Sequence, residues 1–246
     1  MADLILKQSG YSGGSVDVEG LARALGILVI ERKPLKSLDG ILLTQPERTD
    51  GAILINEGNY ALRQRFSIAH ELGHFLNPHH RPTTPEGFAC SGHEHALAHA
   101  DWQKHRQQER EADAFASALL MPRTVIEELV DRGADLAKLV ARAAFLEVSK
   151  QAMVRRWLEI TPFASAMVAH RDDRIAWIDR SRSCPPFDRS RGHRIGELPG
   201  PEMSSGTTHQ ALVSGESWGL GEHASEVVAQ THFQMEERGI TILTLL

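Results

Sequence analysis

His70, Glu71 and His74 stand in the spacing His-Glu-x-x-His, and each of the three has its own chemical use there. On an α-helix, residues four apart lie one turn above each other on the same face, so two imidazoles can aim at a single ion. Glu71 sits about 100° round the helix, beside such an ion rather than on it. That is the position from which a general base acts on water in a zinc peptidase. Chance could place the same spacing on a helix with two solvated histidines, but the flanks speak against it. Phe66, Ile68, Ala69, Leu72, Gly73, Phe75 and Leu76 predict a buried helix. Two buried histidines and a glutamate need partners, and a metal is the simplest one.

A catalytic zinc takes three protein ligands and keeps a fourth position open. Between Glu109 and Pro122, the residues Ala112, Phe115, Ala116, Leu119 and Leu120 form one apolar helical stripe that Pro122 ends. Projected at about 100° per residue, Glu109 falls at the edge of that stripe and Glu111 points well away from it. Glu109 is therefore the predicted third ligand, and Glu111 reads as a solvated carboxylate favoured by the helix macrodipole. Asp113 shares the side of Glu109 and can accept the second N–H of a ligating histidine. An oxyanion donor is also required, with Tyr60, Arg63 and a histidine of the 79–105 stretch as candidates.

These groups need a scaffold. Val16 to Leu25 has helical apolar spacing with Gly26 as its C-cap, and Ile27–Arg32, Gly40–Thr44 and Gly51–Asn56 read as strands. Turn residues between the last two predict an antiparallel hairpin that leads into the His70 helix. From Asn77 to Gln108 the chain is polar, with Pro78, Pro82, Pro85 and six histidines, and is read as a long loop whose histidines are either solvated or additional groups near the metal.

Beyond Pro122 the pattern stays helical through Ile126–Val130, Leu136–Ala144 and Lys150–Ile160. The last two resemble a helix-turn-helix, in which Lys150, Arg155 and Arg156 would face DNA. Direct DNA binding is nonetheless disfavoured: the turn glycine is missing and the formal net charge is -5. From Thr161 onward Ala164–Ala169, Arg174–Asp179 and Ile240–Leu246 read as strands, with Trp177, Trp218 and Phe233 as core aromatics.

A composition of 41% hydrophobic and 24% charged residues is globular. Cys90 and Cys184 lie far apart, which argues against a disulfide framework or a thiolate zinc site. The chain has no signal-peptide pattern and no run of about eighteen apolar residues, so the expectation is a cytoplasmic protein without a membrane span.

Three stretches together resemble the ImmA/IrrE family of bacterial zinc peptidases: Asp39-Gly40-Ile before the hairpin, Arg65-Phe-Ser-Ile-Ala-His-Glu-Leu-Gly-His, and Glu109-x-x-Ala-Asp-x-Phe-Ala-x-x-Leu-Leu-Met-Pro. The resemblance covers roughly the first half of the chain. It implies a gluzincin-like α+β fold, with one catalytic zinc on His70, His74 and Glu109, and Glu71 as base. It also implies a helix-turn-helix transcriptional repressor, commonly encoded beside the peptidase, as substrate. The expected organisation is a zinc peptidase domain over 1–125, a helical helix-turn-helix-like segment over 126–161 and a mostly β lobe over 162–246. The alternative is a non-proteolytic regulator that keeps the metal as structure and binds a repressor partner or DNA.

Overall fold

The computed structural model describes residues 1–45, 47–82, 87–90, 99–130, 135–195, 208–220, 226–235 and 238–245. The fold is α+β, with seven helices and two sheets among these residues. It divides into two compact units, one of residues 1–122 with 146–148 and the other of residues 123–145 with 149–246. The helices of the predicted 126–161 segment thus fall in the same unit as the C-terminal strands.

The first unit opens with α1 (Ala2–Gln8) and α2 (Val18–Ala24), the second capped by Asp17, whose side chain accepts from the Gly20 amide at 3.0 Å. β1 (Ile27–Lys33), β2 (Gly40–Thr44) and β3 (Gly51–Asn56) lie where periodicity places them, and β2 and β3 form the expected antiparallel hairpin. β1 runs parallel to β3, and β4 (Gly87–Cys90) adds antiparallel to β2, giving the order β1-β3-β2-β4. Gly51, Ile53 and Ile55 of β3 alternate inward with period two, and Leu42 of β2 is opposite Ile53.

Against this sheet packs α3 (Ala61–Leu76), the helix of His70 and His74, and α4 (His99–Leu120) packs on α3. Every residue of α3 from Ser67 to Phe75 is buried, as a helix covered on more than one side must be. Gly73 sets the approach of α4: a Cβ there would stand 3.0 Å from the Phe115 ring and 3.2 Å from the Ala112 backbone. Ala112, Ala116 and Leu119, all fully buried, form the facing stripe.

Two differences from the sequence reading concern the histidine-rich stretch. Gly87–Cys90 is a strand, and residues 99–108 belong to α4, which spans 22 residues. This first part of α4 is almost wholly polar, so no apolar stripe marks it as helix. Residues 91–98, with His93 and His95, lie outside the described residues.

The second unit contains α5 (Arg123–Glu127), α6 (Leu136–Phe145), α7 (Lys150–Ile160) and the strands β5 (Ser165–Arg171), β6 (Arg174–Arg180), β7 (Thr208–Ser214), β8 (Glu226–Met235) and β9 (Arg238–Leu245). The strands form one antiparallel sheet in the order β6-β5-β9-β8-β7. Trp218 and Leu220 pack on Val168, Val227, Ala229 and Leu243 in its core, as expected for Trp218. Trp177 is half-buried beneath Arg155, and of Phe233 only the backbone is described.

Ser149 caps α7, and α7 packs on β5 and β6. The three cations that a DNA-reading helix would present are engaged within the unit. Lys150 Nζ is 2.7 Å from His232, Arg155 donates to Asp179 at 2.5 Å, and Arg156 donates to Glu159 at 2.7 Å. Among the described residues, no helix is long and apolar enough to cross a membrane.

Candidate metal centre

α3 and α4 bring together the groups singled out from the sequence. His70 Nε2 and His74 Nε2 are 3.1 Å apart, and the Glu109 carboxylate lies 3.4 Å from the first and 3.2 Å from the second. Donor atoms about 2.0–2.2 Å from a shared tetrahedral zinc stand about 3.3–3.5 Å from one another. The three donors therefore already have the spacing of a tetrahedral face, and they are of the types that zinc takes.

The electrostatics of the site point the same way. Burial opposes a charge on His70, yet its hydrogen bonds to Asp113 and Glu109 prevail and raise its pKa to about 10. Burial lowers His74 to about 4, a shift that Glu109 only partly opposes. Burial would raise Glu109, but the two histidines hold its carboxyl far below the ordinary range. Glu109 thus needs a positive charge against it, which a cation between it and the two histidines would supply.

Around this cluster the neighbours are ordered. His70 Nδ1 lies 2.9 Å from Asp113 Oδ1, so the carboxylate one turn beyond Glu109 holds the imidazole with its Nε2 toward the site. Glu71 is wholly buried beside His70. Its carboxylate lies over Gly40 of β2, where a Cβ would come within 2.6 Å of Oε1. The aromatic ring of Phe88 stacks on His74 with centroids 4.7 Å apart, which fixes a side wall from β4.

The remaining sequence candidates fall elsewhere. Arg63 donates to Asp39 at 2.5 Å, and Asn59 reaches the same carboxylate at 2.7 Å. Burial would raise the Asp39 carboxyl, and Arg63 with Asn59 keeps it lowered. Arg63 is two helical turns before His70, about 10 Å along the axis, and Tyr60, at the N-cap of α3, is about 15 Å before it and 64% exposed. Neither is among the three converging donors, and the Arg63 guanidinium is held by Asp39.

Two of the six histidines of the 79–105 stretch do reach the centre, as the second of their two readings allowed. His80 is buried, its Nδ1 lies 2.9 Å from His74 Nδ1 and its Nε2 lies 3.0 Å from Glu111 Oε2. Burial lowers the His80 pKa despite Glu111, which favours the neutral ring. His105, one turn before Glu109 on α4, has its Nε2 3.5 Å from that carboxylate.

The chain is similar to known proteins in sequence and in fold. Residues 22–158 match the peptidase family model described as the IrrE N-terminal-like domain. The chain belongs to this family. The matched region holds both α3 and α4, and with them the whole cluster. No curated protein matches the chain by sequence. Among solved structures, one titled Mycobacterium tuberculosis transcriptional regulator is similar in fold, with a TM-score of 0.56 at 11% identity, over 99% of this chain and 74% of that one.

Proposed function

We propose that this family member is a zinc-dependent endopeptidase in which His70, His74 and Glu109 hold one ion and Glu71 is the general base. The observation that carries the reading is the convergence of the three donors at 3.1–3.4 Å, with a buried carboxylate at the very next position to His70. Zinc bound there would supply a Lewis acid for the peptide carbonyl and lower the pKa of water toward about 7. Glu71 takes a proton from the water whose oxygen adds to the carbonyl carbon. As the C–N bond breaks, Glu71 returns that proton to the departing amine nitrogen. Asp113 keeps His70 in the tautomer that leaves Nε2 unprotonated toward the ion. The buried surroundings strengthen each of these interactions relative to water.

The substrate in this proposal is a helix-turn-helix transcriptional repressor, whose cleavage would derepress genes of a stress-response, mobile-element or toxin–antitoxin type, in the cytoplasm. The engaged states of Lys150, Arg155 and Arg156 argue against a DNA-reading role for α7. The test is to incubate the zinc-loaded protein with a repressor encoded beside it, with and without chelator, and to read the products by mass spectrometry. Discrete fragments that disappear with chelator are expected. Intact repressor retained in a stable complex would replace the peptidase by a non-proteolytic regulator.

A further inference from the structure

His74 is the one histidine of the pair with no carboxylate on its second nitrogen: Asp113 serves His70, whereas His74 Nδ1 faces another imidazole. If His74 offers its Nε2 lone pair to a cation, its proton must be on Nδ1. The atom 2.9 Å away, His80 Nδ1, must then accept, which places the His80 proton on Nε2, and Glu111 Oε2 stands 3.0 Å from that nitrogen. Asn77 Nδ2 is 2.8 Å from His80 Nε2 and 3.1 Å from Glu111 Oε2, so in this arrangement its proton also turns to the carboxylate.

The loop that carries His80 is held for the purpose. Arg48, from the β2–β3 turn, donates to the carbonyl oxygens of His74, Asn77 and His80, which fixes the turn after α3. Gln107, one turn before Glu111, donates to its other oxygen at 2.8 Å.

We infer that His80 and Glu111 are positioning residues that orient His74 for metal binding through a carboxylate–imidazole–imidazole chain. The inference rests on the metal centre proposed above and assigns a role to two residues outside its ligand set. An ion on one side of the ring is matched by a charge-assisted hydrogen bond relayed through a second ring. Removing the end of the relay should weaken the metal site without unfolding the helix, since Glu111 is at the protein surface with 44% of its side chain exposed.

The experiment is titration of the metal-free protein with Co²⁺, read by visible absorption and by competition with a chelator. Glu111→Ala and His80→Phe should each weaken binding about ten- to a hundredfold and alter the absorption band. Glu111→Asp should recover part of the loss, and the melting temperature of metal-free Glu111→Ala should match that of the unaltered protein. Binding by Glu111→Ala and His80→Phe with unchanged affinity and spectrum would overturn the inference while leaving the metal centre in place. A failure of the unaltered protein to bind Co²⁺ would overturn both.

Discussion

Gly40 lies directly under the carboxylate of Glu71: a Cβ at position 40 would come within 2.6 Å of Oε1 and 3.2 Å of Cγ. The carboxylate is the far end of a flexible side chain, whereas Gly40 is held between two neighbouring strands, paired with Ile55 and with Cys90. Gly40→Ala should therefore displace the carboxylate rather than the strand. Overpacking of this kind costs about 1–3 kcal/mol. The expected outcome is a modest drop in melting temperature, near-native metal affinity and a marked loss of peptide hydrolysis. A variant with undiminished hydrolysis would show that the buried position of Glu71 is immaterial to its role.

Glu71→Gln keeps the size of the side chain and removes its ability to take a proton. The variant should bind zinc about as tightly as the unaltered protein, because position 71 supplies none of the three converging donors. Peptide cleavage should fall by about 10²–10⁴-fold, the usual contribution of a positioned base. Metal analysis and single-turnover cleavage of the same preparation separate the two effects, and full cleavage by a metal-loaded variant would remove Glu71 from the mechanism.

Metal binding should be visible as folding stability. At free zinc about a hundred times its Kd, the first unit should gain about 2.7 kcal/mol, raising its melting temperature by several degrees. His74→Ala should abolish that response, because it removes one of the two nitrogens, only 3.1 Å apart, that would hold the ion together with Glu109. Differential scanning calorimetry with and without zinc measures this, and an equal response in the variant would dissociate the cluster from metal binding.

The parts of this centre that could be read in advance are those that combine a periodic pattern with a chemical requirement. His70, Glu71 and His74 share one helix, and Glu109 with Asp113 share another, so 3.6-residue geometry alone relates the members of each set. The β2–β3 hairpin was legible for the same reason, since alternation and turn residues are local. His80 and Glu111 were not. His80 follows Pro78 in an irregular turn and reaches His74 because Arg48, 32 residues earlier, holds its carbonyl. Glu111 points away from the apolar stripe, as projected, but besides water it meets the returning loop there, at His80 and Asn77. Neither contact leaves a periodic trace in the chain.

The second unit has its own titratable core group. His170 on β5 is 3% exposed, its Nε2 lies 3.3 Å from Thr241 Oγ1, and its ring lies against Gly239, where a Cβ would meet it at 2.6 Å. Burial lowers its pKa from 6.5 to about 4. Between these values the unfolded chain binds a proton that the folded unit excludes, so stability rises with pH across the window. The contribution is complete above about pH 6.5 and is lost progressively as pH falls toward 4, amounting to about 3 kcal/mol at the acid end. His170→Gln has no such proton to exclude. Denaturant unfolding at pH 7.5, 6 and 4.5 should show the stability difference between the two proteins shifting in favour of the variant as pH falls, whatever its sign at pH 7.5. A difference that stays constant across that range would mean that His170 is protonated equally in the folded and unfolded chains.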